Sequence, residues 1–226
     1  MTIAVAVHES PTSYRLAADT RVSTGGGAGV ALTVTKALVV GRWLFAGAGD
    51  GPAVVRFRKL LSNFAESKEA FNLRTRADVE DLLEQVHEKA MEITGGTEPG
   101  EYHALGAELL FVGPAGVGTM GPTGDVYWRD GSLVYAAVGC AFEFAMGWID
   151  RAGTVTVDDA EVTVAACCDR FPACGRPITV LDSAVDVVEP SPRPKRSRTK
   201  TGPAKQVAPD AAPVERRKRG GARVTA

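Results

Sequence analysis

Apolar residues alternate with small or polar ones from the start of the chain. Residues 2–7, Thr-Ile-Ala-Val-Ala-Val, have the alternation and β-branched content of a strand. Residues 14–19 form its expected hairpin partner across the turn Glu9-Ser10-Pro11-Thr12. A flexible loop is expected over 24–29, Thr-Gly-Gly-Gly-Ala-Gly, with strands following at 30–34, 37–40 and 43–46. Gly47-Ala-Gly-Asp-Gly51 then breaks the strand pattern and opens a helix over 52–66. Val55, Leu60 and Leu61 would face inward on that helix, and Arg56, Arg58 and Lys59 outward.

The helical period is clearest over 78–93. Val79, Leu82, Leu83, Val86, Ala90 and Ile93 recur on one face, and Gly95-Gly96 ends the run. Short antiparallel strands are expected at 108–112, 117–120, 126–129 and 133–137, then helices at 141–149 and 157–168. Asp158 and Asp159 open the last helix, where the positive end of the peptide dipoles favours acidic side chains. Residues 177–181 close the core as a strand. Sheets must cover their apolar faces and amphipathic helices need a sheet to lie on. The order therefore predicts an α+β fold, two stacked antiparallel sheets flanked by helix layers.

Charge divides the chain at the same place as the pattern. From residue 189 onward Pro, Ser, Lys, Arg and Ala dominate and no hydrophobic period survives, so 189–226 is expected to be a disordered basic tail after a folded domain at 1–188. Residues 190–226 hold 11 Lys/Arg and 2 Asp/Glu; the totals of 26 and 27 then leave 15 basic and 25 acidic residues in 1–189. The near-neutral whole conceals an acidic body and a basic tail. Such a tail would bind phosphates in a salt-sensitive way, without base stacking, because no aromatics interleave its charges. No apolar run approaches a membrane span, and no basic segment precedes the opening strand as in a signal peptide, so a cytoplasmic protein is expected. Cys140, Cys167, Cys168 and Cys174 suit that compartment as free thiols and show no zinc-ligand spacing.

Histidine-based nucleophilic chemistry finds little support. His8, His87 and His103 are the only histidines; His87 lies on a helix border and His103 in a Gly/Pro-rich linker. Gly47-Ala-Gly-Asp-Gly lacks the lysine and spacing of a phosphate loop. The second residue offers another route. Removal of Met1 would leave Thr2 with a free α-amine, whose ordinary pKa near 8 lets it act as a base. Hydroxyl and base then sit on one residue.

A wider constellation carries a resemblance. Thr2-Ile-Ala-Val-Ala-Val, Leu16-Ala-Ala-Asp19-Thr-Arg, Thr35-Lys36 and Phe45-Ala-Gly47-Ala-Gly-Asp occur in the order seen in proteasome β-type subunits. The chain looks closest to the HslV-like two-ring relatives and the short proteasome-like proteins of bacteria and phages. Ala136-Ala-Val-Gly139-Cys140-Ala and Asp169-Arg-Phe-Pro-Ala-Cys174-Gly-Arg-Pro-Ile continue the likeness, which covers roughly residues 2–182.

The resemblance implies an N-terminal-nucleophile (Ntn) hydrolase fold, a four-layer αββα sandwich, acting as a threonine peptidase without a cofactor. Thr2 would attack, Lys36 paired with Asp19 would supply positive charge, and the Gly47 N–H would bind the oxyanion. Phe45 would line the substrate pocket, and Asp169 would orient the region around the α-amine. The family also implies a homo-oligomeric ring, peptide or unfolded-protein substrates and an ATP-dependent unfoldase. Cys140 stands where the family usually has serine, a weak S–H donor in place of a hydroxyl. Cys140 as nucleophile would need a base that the sequence does not show. Pro172 and Cys174 replace a common Tyr-Ser-Gly-Gly run. These departures keep open a catalytically inactive structural or regulatory Ntn subunit, and the tail keeps open nucleic-acid or acidic-partner binding.

Overall fold

The computed structural model describes residues 2–22, 32–94, 106–131 and 134–183. The expected loop at 24–29, His103 and the tail from 189 lie outside the described residues.

The chain opens with β1 (Ile3–Ser10) and β2 (Ser13–Asp19), joined by the expected tight turn. A short ribbon follows, β3 (Arg21–Val22) against β4 (Leu32–Thr33). Next come β5 (Ala37–Val40), β6 (Trp43–Gly49) and the helix α1 (Gly51–Ala65). A 3-10 turn at Lys68–Asn72, absent from the sequence expectation, leads to α2 (Arg76–Thr94). After it run β7 (Ala107–Gly113), β8 (Gly116–Met120), β9 (Val126–Trp128) and β10 (Val134–Gly139). The helices α3 (Phe142–Ala152) and α4 (Asp159–Arg170) and the strand β11 (Ile178–Asp182) complete the fold.

Two antiparallel sheets result, ordered β10-β1-β2-β11 and β5-β6-β7-β8-β9. Strand alternation sends successive side chains to opposite faces, and each sheet uses both. Ala4 and Ala6 of β1, Leu16 and Ala18 of β2, Leu44, Ala46 and Ala48 of β6, and Leu110 and Val112 of β7 meet between the sheets. Ile3, Val5 and Val7 point the other way and pack with Ala145, Ile149, Ala160 and Val164 of α3 and α4. Trp43, Phe45 and Phe111 turn outward from the second sheet onto Val54, Phe57 and Leu61 of α1 and Leu82, Leu83 and Val86 of α2. The arrangement is a helix–sheet–sheet–helix sandwich. Its middle layer is rich in alanine, which lets the sheets approach closely at native packing density.

The start of α2 has a reciprocal cap. Asp78 accepts the Thr75 N–H at 2.8 Å while the Thr75 hydroxyl accepts the Asp78 N–H at 3.2 Å. A second Asp78 bond, to the Arg74 N–H at 2.8 Å, helps hold its carboxyl below the usual carboxylate range.

Two expectations need correction. Residues 47–49 do not break the sheet, because Ala48 and Gly49 stay in register with Glu108 and Ala107 of β7. The neighbouring strand supplies the order that three small residues cannot supply alone. On α1, Val55 is exposed, whereas Ala53, Val54, Phe57 and Leu61 are buried. The helix starts one residue earlier than expected, and its buried stripe centres on Val54 and Phe57.

Candidate active site

Thr2 stands at the leading end of β1, buried, with Ile3 the first strand residue in register with Gly139. The turn after β10 secures it, since the Cys140 N–H donates to the Thr2 carbonyl at 2.9 Å. Gly139 makes this approach possible. Its φ is +110°, and a Cβ there would lie 1.9 Å from the Thr2 carbonyl oxygen. A side chain at 139 would push the first residues of β1 out of place.

Asp19, the last residue of β2, is fully buried and gathers the site around its carboxylate. Oδ1 accepts the Ile3 N–H at 3.0 Å and the Lys36 ammonium at 3.0 Å. Oδ2 accepts the N–H of Gly175 at 3.2 Å and of Arg21 at 3.3 Å. Lys36, 2% exposed just before β5, also donates to the Arg21 carbonyl. Burial lowers the Lys36 pKa, and the Asp19 charge and hydrogen bond work against that shift, as do the thiolate forms of Cys174 and Cys140. A cation, a carboxylate and the amide following Thr2 thus form one buried cluster.

Gly47 lies near the end of β6 beside Lys36, and its N–H donates to the Lys36 carbonyl at a long 3.3 Å. A side chain there would crowd α1, for a reason the sequence does not show. A Cβ would stand 2.9 Å from Val54 Cγ1, so α1 packs directly onto the backbone.

Cys140 lies at the exposed rim, its Sγ 3.8 Å from that of buried Cys174. The hydrogen bond from Cys174 holds the Cys140 thiol down to about 6, and burial opposes this. The same contact and burial push the Cys174 thiol well up. Cys174 and Gly175 belong to the segment between α4 and β11, which docks on the end of β2. Thr20 donates its hydroxyl to the Pro177 carbonyl at 2.7 Å and its N–H to Gly175 at 3.4 Å.

The fold therefore brings together Thr2, Asp19, Lys36, Gly47 and Cys140. Asp169 stands apart from them, at the C-terminal end of α4, where it pairs with Arg176 at 3.3 Å and lines a cleft with Phe144 and Trp148. Phe45 is fully buried against Phe111, with ring centroids 6.1 Å apart, on the α1/α2 side of its sheet. The hub residue that sequence reasoning missed is Gly175, whose amide completes the Asp19 cradle. Its only sequence signal was the glycine-containing turn before the last strand. His8 stacks on Tyr14 within the β1–β2 hairpin and His87 lies on α2. Among the described residues no group of His, Cys, Asp and Glu is arranged to hold a metal ion, and no helix is long and apolar enough to cross a membrane.

No protein-family model and no curated protein matches this chain. Solved structures do match it. BPH from Thiobacillus denitrificans, solved in complex with epoxomicin, superposes with a TM-score of 0.61 at 19% identity, over 79% of this chain and 97% of that one. Anbu from Pseudomonas aeruginosa, solved as a helical assembly, gives 0.59 at 16% identity, over 79% and 80%. HslV from Trypanosoma brucei gives 0.54 at 15% identity, over 80% and 98%. The chain has the proteasome-like Ntn-hydrolase fold.

Proposed function

We propose that the chain is a threonine peptidase whose nucleophile is Thr2 after removal of Met1. The observation that carries this reading is the Asp19 carboxylate, which binds both the Lys36 ammonium and the amide of the residue after Thr2. An N-terminal threonine with a fixed backbone beside a buried cation is the arrangement that activation of its hydroxyl requires.

In this mechanism the α-amine takes the Thr2 hydroxyl proton as Oγ bonds to the substrate carbonyl carbon. The positive charge of Lys36 favours the developing alkoxide. Collapse of the tetrahedral intermediate expels the amine leaving group, which receives the proton, and water then cleaves the acyl ester on Thr2. The Gly47 N–H is the proposed oxyanion donor. Its long bond to the Lys36 carbonyl makes it a donor that substrate would have to share or displace. Cys140 holds the Thr2 carbonyl through its backbone, whatever its side chain does. Phe45 is the proposed pocket residue and Asp169 the proposed orienting residue, the first sealed in the core and the second paired with Arg176 at the surface.

Peptides or unfolded chains are the proposed substrates. The assembled state of the Pseudomonas Anbu favours a homo-oligomer here too, a ring with an ATP-driven unfoldase being the form that the resemblance suggests. The rival is an inactive Ntn-fold subunit, favoured by a thiol at 140 in place of the family's serine hydroxyl.

Intact-mass analysis and epoxomicin labelling separate them. A peptidase loses Met1 and takes up the probe on Thr2, and Thr2→Ala takes up none. Retained Met1, or a folded wild type that ignores the probe, would favour the inactive subunit.

A further inference from the structure

Cys140 and Cys174 are far apart in sequence, and neither has a role in the chemistry above that needs a thiol. The fold nevertheless sets their sulfurs 3.8 Å apart, one exposed and one buried, with the segments that hold Thr2 and Asp19 attached to them. We propose that Cys140 and Cys174 form a reversible disulfide on exposure to peroxide, a modification site that clamps the nucleophile's surroundings and gates Thr2.

Each partner has the character its part requires. Cys140 is reachable from solvent and holds its thiolate near neutrality, because the Cys174 thiol donates to it. Its sulfur attacks one peroxide oxygen and the O–O bond breaks. Cys140 becomes a sulfenic acid and the released hydroxide takes a proton to become water. Cys174, shielded from the oxidant, then attacks the Cys140 sulfur. The S–S bond forms and the S–O bond breaks, and the Cys174 proton leaves with the hydroxyl as a second water. Two thiols and one hydrogen peroxide give one disulfide and two waters. Either thiolate would favour the charged Lys36, while the Asp19 carboxylate opposes ionisation of both thiols. Burial raises Cys167 to about 12 and Cys168 to about 11, so neither supplies a competing thiolate.

The consequence for Thr2 follows from what the two cysteines carry. The Cys140 amide holds the Thr2 carbonyl at 2.9 Å, and the Gly175 amide, one residue after Cys174, holds Asp19 at 3.2 Å. Closing the sulfurs to a bond of about 2 Å pulls these two anchors toward each other. Displacements of this size at a reacting centre cost on the order of a hundredfold in rate. This gating, unlike the disulfide itself, rests on the peptidase reading.

The test treats the full chain with hydrogen peroxide, blocks free thiols and maps the peptides by mass. The expected product is a Cys140–Cys174 linked peptide lacking two hydrogens and restored by dithiothreitol. Cys174→Ser should stop at a Cys140 sulfenic acid that dimedone traps. Epoxomicin labelling of Thr2 should fall on the order of a hundredfold in the oxidised wild type, the displacement cost, and return on reduction. Sulfinic acid at Cys140 without the linked peptide, or linkage through Cys167 or Cys168, overturns the site. Linkage with undiminished labelling overturns the gating. Linkage in a protein whose reduced form never labels supports the disulfide and overturns the peptidase reading instead.

Discussion

Asp19 Oδ1 lies 3.0 Å from the amide nitrogen of Ile3, a bond that spans sixteen positions of sequence inside the core. The same oxygen receives the Lys36 ammonium. One carboxylate atom thereby sets both where the chain begins and where the nearest buried cation sits. Three backbone amides and an ammonium converge on this side chain, which is why its loss and the loss of Lys36 should not be equivalent.

Asp19→Ala is expected to cost about 3–5 kcal/mol, because it strands a buried ammonium and the amides of Ile3, Arg21 and Gly175. Lys36→Met should cost less, since the carboxylate it leaves without a cation keeps those three amide donors. Urea unfolding of both variants checks the order. Equal losses would mean that the ion pair, and not the amide cradle, holds the carboxylate. Both variants should lose epoxomicin labelling.

The depressed pKa of Lys36 has a sign that stability measurements can read. Between its lowered value and the ordinary lysine value of 10.5, the unfolded chain binds a proton that the folded chain does not. Folding is therefore increasingly favoured as pH rises through that window. The stability of the wild type relative to Lys36→Met should climb with pH on the alkaline side and level off above 10.5. A flat difference would show that Asp19 compensates the desolvation completely.

Gly139→Ala should destabilise the protein by about 1–3 kcal/mol and remove Thr2 labelling, through strain at positive φ and collision with the Thr2 carbonyl. Gly147→Ala is the control. Nothing lies within 4 Å of a Cβ at that α3 position, so the change should be neutral or stabilise by about 0.5–1 kcal/mol. Thermal melts and probe uptake on the two variants test whether position 139 serves the nucleophile's placement.

Iodoacetamide should find Cys140 first. Its alkylation rate is expected to rise through about pH 6, while Cys167 and Cys168, at about 12 and 11, stay unreactive in the native state. Cys174→Ala removes the donor that favours the thiolate, and should shift the Cys140 profile upward. Peptide mapping at several pH values follows all four cysteines at once.

The order of strands and helices was readable because each element announces itself locally. The period-two pattern of Ile3, Val5 and Val7 and the helical run from Val79 to Ala90 depend only on near neighbours, and both appear where the pattern put them. Position 55 shows the limit of that signal, since a valine on a helix says nothing about which flank the sheet will cover. The strand at Gly47-Ala-Gly49 was invisible for a related reason, its order coming from β7 more than fifty residues later.

By itself the sequence determined the layers: alternation and helical period specify which faces are apolar, and burying those faces leaves few ways to stack them. Tertiary structure alone decided the contacts. Residues 2, 19, 36, 140 and 175 meet through hydrogen bonds between distant segments. The pairing of two thiols across the rim likewise exists only once those segments have closed on each other. Such bonds depend on distances that form after the sheets have packed, and no local pattern along the chain encodes them.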